Sequence, residues 1–220
     1  PLQHVLGYAD FCGNRFCVNG SVLIPRPETE WLVDEGAKLM STTATSSPKR
    51  ILDIGTGSGC IAISLKLRLS NAYVEAWDIS EEALRTAQDN ADALKAEVVF
   101  RKRDALRADN TAAPWDLIVS NPPYICNSER SAMDDNVLLH EPHTALFVPD
   151  DDPLRFYRAI ARYALLTLNT GGSLLFECNT RYAEATGTML SDMGFEEVTV
   201  SDDCFSLPRF VRGRKNSHNQ

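Results

Sequence analysis

The residues with the clearest chemical purpose are Asn121-Pro122-Pro123-Tyr124, which directly follow the apolar run Trp115–Ser120. Proline lacks an N–H group and has a fixed φ, so two in succession give a stiff loop whose carbonyl oxygens face outward as acceptors. The side-chain oxygen of Asn121 adds another acceptor, and the ring of Tyr124 offers a flat face. A loop of this kind at the end of a strand can hold both hydrogens of a planar –NH2 group.

Holding an –NH2 group still is useful when its nitrogen is a poor nucleophile. In an amide or an amino-purine the nitrogen lone pair is delocalised, so it must be aimed at an electrophile before it reacts. The loop therefore favours N-methylation of an amide or an adenine, with Asn121, Pro122 and Tyr124 as the catalytic residues. The alternative is a proline-rich turn with a packing tyrosine, because turns readily use Asn and Pro.

A glycine-rich loop lies upstream, between the apolar run Arg50–Ile54 and the helical pattern Cys60–Arg68. Its glycines, Gly55, Gly57 and Gly59, allow the backbone to approach a ligand closely and leave N–H groups free at the start of a helix. The spacing Gly-x-Gly-x-Gly differs from the Gly-x-Gly-x-x-Gly of dinucleotide sites. An ordinary glycine turn is the alternative interpretation.

The next apolar run, residues 72–77, ends at Asp78, nineteen residues after Gly59. An acidic residue at this place in a βαβ unit accepts hydrogen bonds from ribose hydroxyls. No P-loop lysine or arginine cluster accompanies it, so a phosphate-free nucleoside is favoured. S-adenosylmethionine fits, since its sulfonium tolerates the nearby Asp53. Asp104, after the third predicted strand, either lies beside the adenine or caps a turn. The predicted cofactor-binding residues are Asp53, Gly55, Thr56, Gly57, Gly59, Asp78, Asp104 and Asn121.

Composition narrows the functional classes. The 220 residues suffice for one sizeable core, and the net charge of −8 argues against tight binding of duplex nucleic acid. The six cysteines show no Cys-x-x-Cys and no pairing with His at metal spacing, so we expect reduced thiols, an intracellular compartment and no metal site. No apolar run approaches the roughly 20 residues of a membrane span.

Strands and helices alternate from Lys49 onward. The predicted strands cover residues 51–54, 72–77, 97–101, 116–120 and 173–178, and the predicted helices cover residues 59–69, 81–94, 153–168 and 181–193. This alternation predicts a parallel sheet with helices on both faces. Residues 195–200 and 205–213 read as two strands with no helix between them, which predicts an antiparallel hairpin at the sheet edge. The expected fold is α/β and Rossmann-like, with a mostly parallel sheet of seven strands.

The first forty residues have a different pattern. Turn residues between short apolar runs in segment 11–20 predict a β-hairpin, and residues 31–39 predict a helix with acidic residues in its first turn. The Ser/Thr-rich segment 41–48 predicts a flexible connector. The expected organisation is a hairpin-and-helix appendage at 1–40, this connector, and a methyltransferase domain at 49–215.

Two acidic residues outside these motifs bear on the site. Glu141 lies in the long loop after Tyr124, where such a loop can form a substrate lid. Glu177 follows a buried strand, where a lone carboxylate needs a partner, and we predict that it holds the Asn121 loop through backbone N–H groups.

Four segments together resemble the HemK/PrmC family, the glutamine-N5 methyltransferases of translation release factors. The resemblance covers residues 3–214, and the Pro-Arg-Pro-Glu-Thr-Glu segment is its most specific part. The segments are residues 23–30, 52–62, 121–125 and 141–146.

The resemblance implies a reaction and a partner. The reaction is S-adenosylmethionine-dependent methylation of the glutamine in the Gly-Gly-Gln loop of a release factor, in the cytoplasm or a mitochondrion. Residues 55–59 and Asp78 would hold the cofactor. The implied substrate-binding residues are Asn121, Pro122, Pro123, Tyr124 and Glu141.

Four features depart from the family pattern. Ala105 stands where an aromatic residue is usual, Cys178-Asn179 replaces an Ile-Gly pair, and Asp152-Pro153-Leu154 replaces Asp-Gly-Leu. The family's N-terminal helical domain is not found in the given sequence. Two other functions stay open at this stage. One is N6-methylation of adenine, which uses the same loop, and the other is a catalytically silent subunit that binds S-adenosylmethionine.

Overall fold

The computed structural model describes residues 2–42, 47–108, 114–126, 142 and 147–216. In these ranges the strands are β1 (Tyr8–Phe11), β2 (Asn14–Cys17), β3 (Arg50–Ile54), β4 (Tyr73–Asp78), β5 (Val98–Lys102), β6 (Trp115–Ser120), β7 (Ile125–Cys126), β8 (Phe147–Val148), β9 (Leu168–Glu177), β10 (Phe195–Asp202) and β11 (Pro208–Lys215). The helices are α1 (Leu2–Leu6), α2 (Glu30–Thr42), α3 (Cys60–Arg68), α4 (Glu81–Leu94), α5 (Arg155–Thr167) and α6 (Ala183–Asp192). Single 3-10 turns cover Pro27–Thr29, Ala105–Arg107 and Thr180–Tyr182.

Seven strands form one sheet in the order β10-β11-β9-β6-β3-β4-β5. The five strands from β9 to β5 are parallel to one another, whereas β11 and β10 extend the edge in antiparallel fashion. Strands β1 and β2 form a separate antiparallel hairpin. The predicted α/β fold, its antiparallel edge and its N-terminal hairpin are therefore confirmed.

The central parallel strands are apolar almost throughout because both faces of the sheet are covered. Their register aligns Ile54 of β3 with Ser120 of β6, and Ser120 with Phe176 of β9. The glycine-rich loop, the Asn121 loop and Glu177 therefore leave the sheet side by side. The carboxyl ends of parallel strands are the usual place for ligands in open α/β sheets.

Helix α4 begins at the same end of the sheet. Its N-cap Ser80 accepts a hydrogen bond of 3.2 Å from the backbone N–H of Ala83, and Glu81 and Glu82 place negative charge in its first turn. The helix ends at Lys95, whose φ of +55° closes it in a left-handed cap. A well-capped helix gives the neighbouring glycine-rich loop a rigid support.

The N-terminal hairpin is attached to this support through the buried side chain of Asn90. Its Oδ1 accepts a hydrogen bond of 2.7 Å from the N–H of Cys17, and its Nδ2 donates to the carbonyls of Cys17 at 3.0 Å and Ser58 at 2.9 Å. One side chain thus links the hairpin, α4 and the glycine-rich loop. The division into appendage, connector and main domain stays a prediction, and residues 43–46 of the connector lie outside the described residues.

Some predicted boundaries were wrong, and each difference has a local cause. β9 begins at Leu168 rather than at residue 173, because Gly171, with φ +76°, allows the chain to turn and pair irregularly with β6 before the regular ladder. β11 begins at Pro208 rather than at residue 205, because the Asp203 side chain accepts hydrogen bonds from the N–H groups of Phe205 and Leu207 and forms a turn. In the described ranges, no helix is long and apolar enough to span a bilayer.

Candidate active site

A cavity of about 340 Å³ opens at the carboxyl ends of β3, β4 and β6. Its wall combines three of the segments that the sequence singled out with residues from the N-terminal segment and α5. The described residues that line it are Ser21, Val22, Leu23, Ile54, Gly55, Gly57, Asp78, Ile79, Ser80, Ala83, Arg103, Asp104, Ala105, Leu106, Ser120, Asn121, Pro122, Pro123, Pro142, Phe156 and Ile160.

The glycine-rich loop forms one side of the cavity with its bare backbone. Gly55 and Gly57 have φ values of +78° and +55°, and a Cβ added at either would meet no atom of the described residues within 4 Å, its chain neighbours excepted. The N–H of Gly55 donates to the carbonyl of Trp77 at 2.9 Å, and the N–H of Gly57 donates to Asp78 Oδ2 at 2.9 Å. The loop is therefore fixed from behind, with open space for a ligand in front.

Gly59, predicted to bind the cofactor, does not line the cavity. Its φ is +83°, and an added Cβ would lie 2.9 Å from Ile63 Cδ1 and 3.1 Å from Ala87 Cβ. This glycine allows close packing of α3 on α4 where any larger residue would be too crowded.

Asp78 and Asp104 do line the cavity, but parts of both carboxylates are already engaged. Asp78 accepts hydrogen bonds from the N–H groups of Gly57 and of Ser80, each at 2.9 Å. Burial raises the pKa of Asp78, and these two backbone donors oppose the shift. Asp104 Oδ1 accepts a hydrogen bond of 2.9 Å from the N–H of Leu106. Asp104 thus caps a turn and lies at the cavity, so both interpretations of it are compatible with the structure.

Asp53 lies inside the protein rather than on the cavity wall. Its Oδ2 accepts a hydrogen bond of 2.6 Å from Thr56 Oγ1, and its Oδ1 has no partner in the described part of the chain. Burial raises the pKa of Asp53 to about 7. Asp53 and Thr56, both predicted to bind the cofactor, form a buried pair at the end of β3 and do not line the cavity.

Replacing Asp53 with asparagine should make stability less dependent on pH. In the wild type the folded state holds this proton up to about pH 7, whereas the unfolded state releases it near the ordinary value of 3.8. The free energy of unfolding should therefore fall as the pH rises from about 4 to about 7. Urea unfolding of both proteins across this pH range measures the effect. The free energy of unfolding of Asp53→Asn should fall by roughly 1–3 kcal/mol less than that of the wild type. Parallel curves would show that Asp53 is ionised throughout.

Asn121 supplies an acceptor without a donor. Its Oδ1 is buried and receives no hydrogen bond from any described residue, and buried polar atoms in native structures seldom lack partners. The preceding Ser120 donates a hydrogen bond of 2.6 Å from Oγ to the carbonyl of Ile54, which fixes the Asn121 loop beside β3. Pro122 and Pro123 line the cavity next to it. The arrangement fits a ligand that brings an N–H donor.

Tyr124 lies behind the loop instead of on the cavity wall. Its hydroxyl donates a long hydrogen bond of 3.4 Å to Glu177 Oε1, and its carbonyl accepts one of 3.4 Å from Asn179 Nδ2. Burial raises the pKa of Tyr124, and the negative charge of Glu177 adds to the shift. The ring packs against the core that includes Tyr157 and Phe176.

Glu177 does not contact the backbone N–H groups of the Asn121 loop, so that part of the prediction was wrong. Its carboxylate instead binds side-chain hydroxyls, Thr29 Oγ1 at 2.7 Å and Tyr124 at 3.4 Å.

Sequence reasoning missed the parts of the wall that come from distant segments. Ser21, Val22 and Leu23 precede the Pro-Arg-Pro-Glu-Thr-Glu segment, and Phe156 and Ile160 lie on α5. The sequence predicted a helix over residues 153–168 but not what this helix packs against. Glu141 and residues 143–146 lie outside the described residues. No group of three or more His, Cys, Asp or Glu side chains is arranged to hold a metal ion in the described ranges.

Known proteins that are similar to this chain are methyltransferases, the class that the sequence also indicates. The family model "Methyltransferase small domain" matches residues 30–146. A protein of Bacteroides thetaiotaomicron named release factor glutamine methyltransferase is 47% identical over 216 residues, which cover 98% of this chain and 76% of that protein. A Flavobacterium psychrophilum protein of the same name is 43% identical, over 96% of this chain and 74% of its own length.

Solved structures agree on the fold. The catalytic domain of hMettl16, in complex with a 3′UTR hairpin, superposes with a TM-score of 0.67 at 19% identity, covering 98% of this chain and 77% of that one. A methyltransferase from Pyrococcus furiosus gives a TM-score of 0.61 at 16% identity, over 84% of this chain and 83% of that one. At these identities the likeness establishes a Rossmann-like methyltransferase fold.

Proposed function

The chain belongs to the release factor glutamine methyltransferases, and we propose that it methylates the side-chain nitrogen of the glutamine in the Gly-Gly-Gln loop of a release factor. The observation that carries this proposal is the buried Oδ1 of Asn121 at the cavity, which receives no hydrogen bond from the described part of the chain. An acceptor in that place needs an N–H donor, and a primary amide brings two.

The cavity fits S-adenosylmethionine as the methyl donor. Gly55 and Gly57 leave space where a Cβ would stand, so their backbone can lie against the ligand, and Asp78 offers carboxylate oxygens for ribose hydroxyls. Ala105 and Leu106 would contact the adenine with apolar surface, in place of an aromatic ring. When bound, the cofactor supplies a methyl group on a positively charged sulfur, which is the electrophile.

Replacing Asp78 with alanine should weaken binding of S-adenosylmethionine by roughly 1.5–3 kcal/mol, the usual contribution of hydrogen bonds to a charged group. Asp78→Asn keeps an oxygen near the N–H groups of Gly57 and Ser80. Its loss of binding free energy for S-adenosylmethionine should therefore be smaller. Isothermal titration calorimetry on folded protein measures both. Unchanged affinity in Asp78→Ala would remove Asp78 from the cofactor site.

The chain's own residues act by orientation. Asn121 Oδ1 and the carbonyl of Pro122 would accept the two amide hydrogens, so that the nitrogen lone pair points out of the amide plane towards the methyl group. The nitrogen then forms a bond to carbon as the bond from sulfur to carbon breaks, and the excess amide proton leaves to solvent. Orientation and exclusion of water supply most of the rate, and no strong general base is needed.

For Tyr124 we propose a role different from the contact with the –NH2 group that the sequence predicted. Its ring is packed in the core behind the loop, so we propose that it supports the loop from behind and does not stack on the amide. The contact between Glu141 and the substrate remains a prediction. The compartment, cytoplasm or mitochondrion, also remains a prediction.

The decisive experiment compares substrates under the same conditions. Purified protein is incubated with radiolabelled S-adenosylmethionine and either an intact release factor or adenine-containing DNA. Label should enter the release factor and not the DNA, because a chain with net charge −8 has little capacity to neutralise phosphates. Faster labelling of DNA would favour adenine methylation, and cofactor binding without transfer would indicate a silent subunit.

A further inference from the structure

Glu177 connects two segments that lie far apart in the sequence, the Pro-Arg-Pro-Glu-Thr-Glu segment and the Asn121 loop. On one side Thr29, in the Pro-Arg-Pro-Glu-Thr-Glu segment, donates to Oε2 at 2.7 Å. On the other side the hydroxyl of Tyr124 donates to Oε1 at 3.4 Å. Thr29 and Glu177 are 3% and 2% exposed, so water does not replace these contacts.

The rest of the surroundings hold Glu177 in one place. Its carbonyl accepts a hydrogen bond of 3.2 Å from the hydroxyl of Tyr157, and its backbone pairs with Phe210 in β11. Burial raises the pKa of Glu177, while the hydrogen bond from Thr29 and the positive charge of Arg209 oppose the shift. A side chain fixed at both its backbone and its carboxylate can serve as a rigid support for Tyr124, the last residue of the Asn-Pro-Pro-Tyr motif.

We propose that Glu177 is a positioning residue, which fixes Tyr124 and so the Asn121 loop by accepting hydrogen bonds from Tyr124 and Thr29. The inference rests on the proposed function. Glu177 lies behind Tyr124, one residue beyond the strand pair that aligns β9 with β6, and it does not line the cavity. Its effect should therefore be on the rate of the chemical step and not on cofactor binding.

The main test separates turnover from binding. Glu177→Ala should lower kcat for release factor methylation roughly 10-fold or more, because small misplacements of reacting groups have effects of that size. KM for the release factor and Kd for S-adenosylmethionine should change less than about 3-fold. Glu177→Gln can still bind both hydroxyls, through its oxygen and its amide group, and should restore most of kcat.

Tyr124→Phe removes only the hydroxyl and should reproduce the loss seen in Glu177→Ala. The double variant should be no slower than either single variant, because both changes break the same interaction. Losses that multiply in the double variant would show that Glu177 acts by another route and would overturn the proposal.

Glu75 provides a matched control, since it is also a buried carboxylate that binds a tyrosine hydroxyl. It accepts 2.7 Å hydrogen bonds from Tyr73 and from Trp77 Nε1, and it does not line the cavity. Glu75→Ala should lower the melting temperature but leave kcat per folded molecule unchanged. An equal drop in kcat in both alanine variants, or wild-type kcat in Glu177→Ala, would overturn the proposal.

A stability cycle tests the connection without any substrate. The effects of Thr29→Val and Tyr124→Phe on melting temperature should be coupled in the wild type and independent in Glu177→Ala. Coupling that persists without Glu177 would overturn the connection. A wild type that binds S-adenosylmethionine but does not methylate release factor would refute the proposed function, and this cycle would still decide whether Glu177 joins the two segments.

Discussion

Replacing Asn121 with alanine should slow methyl transfer roughly 100-fold or more while leaving cofactor affinity nearly unchanged. The substitution removes the buried Oδ1 that has no partner in the described chain, so one amide hydrogen of the substrate loses its acceptor. The amide can then rotate, and its lone pair seldom points at the methyl group, which has a large effect on rate. Single-turnover transfer and cofactor titration on the same preparation measure the two quantities.

The loop itself should survive this change. Ser120 still donates to the carbonyl of Ile54 at 2.6 Å, and the two prolines keep the backbone stiff. Asn169→Ala is a suitable control, because Asn169 is also a half-buried asparagine but lies near the start of β9, where its Nδ2 donates a hydrogen bond of 2.9 Å to Asp116. Transfer at the wild-type rate in Asn121→Ala would show that Asn121 is a turn residue only.

The sequence predicted the features that depend on local pattern. Apolar runs predicted the parallel strands within one or two residues at most ends, and the residues after those runs, Asp78 and Asn121, do line one cavity. This succeeds because parallel strands bring their carboxyl ends together whatever the details of packing. The sequence also predicted that Gly57 faces the ligand, because the glycine-rich loop leaves the carboxyl end of β3, and Gly57 does line the cavity.

What the sequence could not show depends on contacts between distant segments. Thr29 and Glu177 are 148 positions apart, and no periodicity links them. The burial of Asp53, near the end of β3, and of Thr56, just after it, is equally invisible, since a side chain at a strand end can turn towards the ligand or away from it. Tyr124 shows this most clearly. From the sequence its ring could face either the amide or the core, and in the structure it packs against the core.

The same geometry bears on why the family needs an intact amide. An acceptor pair made of Asn121 Oδ1 and the Pro122 carbonyl offers only lone pairs to whatever enters. A carboxylate would bring two further acceptors and no hydrogens, and its negative charge would be desolvated next to unpartnered oxygens. Discrimination of this type is strong because polar groups in the site are left unpaired.

Changing the substrate glutamine to glutamate should therefore abolish methylation. A release factor with Gly-Gly-Glu in place of Gly-Gly-Gln is expected to accept label at least roughly 10⁴-fold more slowly, the scale on which sites built for hydrogen bonds reject analogues that lack the hydrogens. The measurement is transfer of radiolabel from S-adenosylmethionine under single-turnover conditions, with both release factors present at equal concentration.

A Gly-Gly-Asn release factor separates the two reasons for rejection. Its amide keeps both hydrogens but is one methylene shorter, so it can pair with Asn121 yet reaches the methyl group poorly. It should be methylated slowly, at a rate between those of the Gln and Glu proteins. If the Glu protein were labelled as fast as the Gln protein, the methyl group would be going to another residue of the release factor. If Asn and Glu were refused equally, reach would dominate over hydrogen bonding, and the unpartnered Oδ1 of Asn121 would need a different explanation.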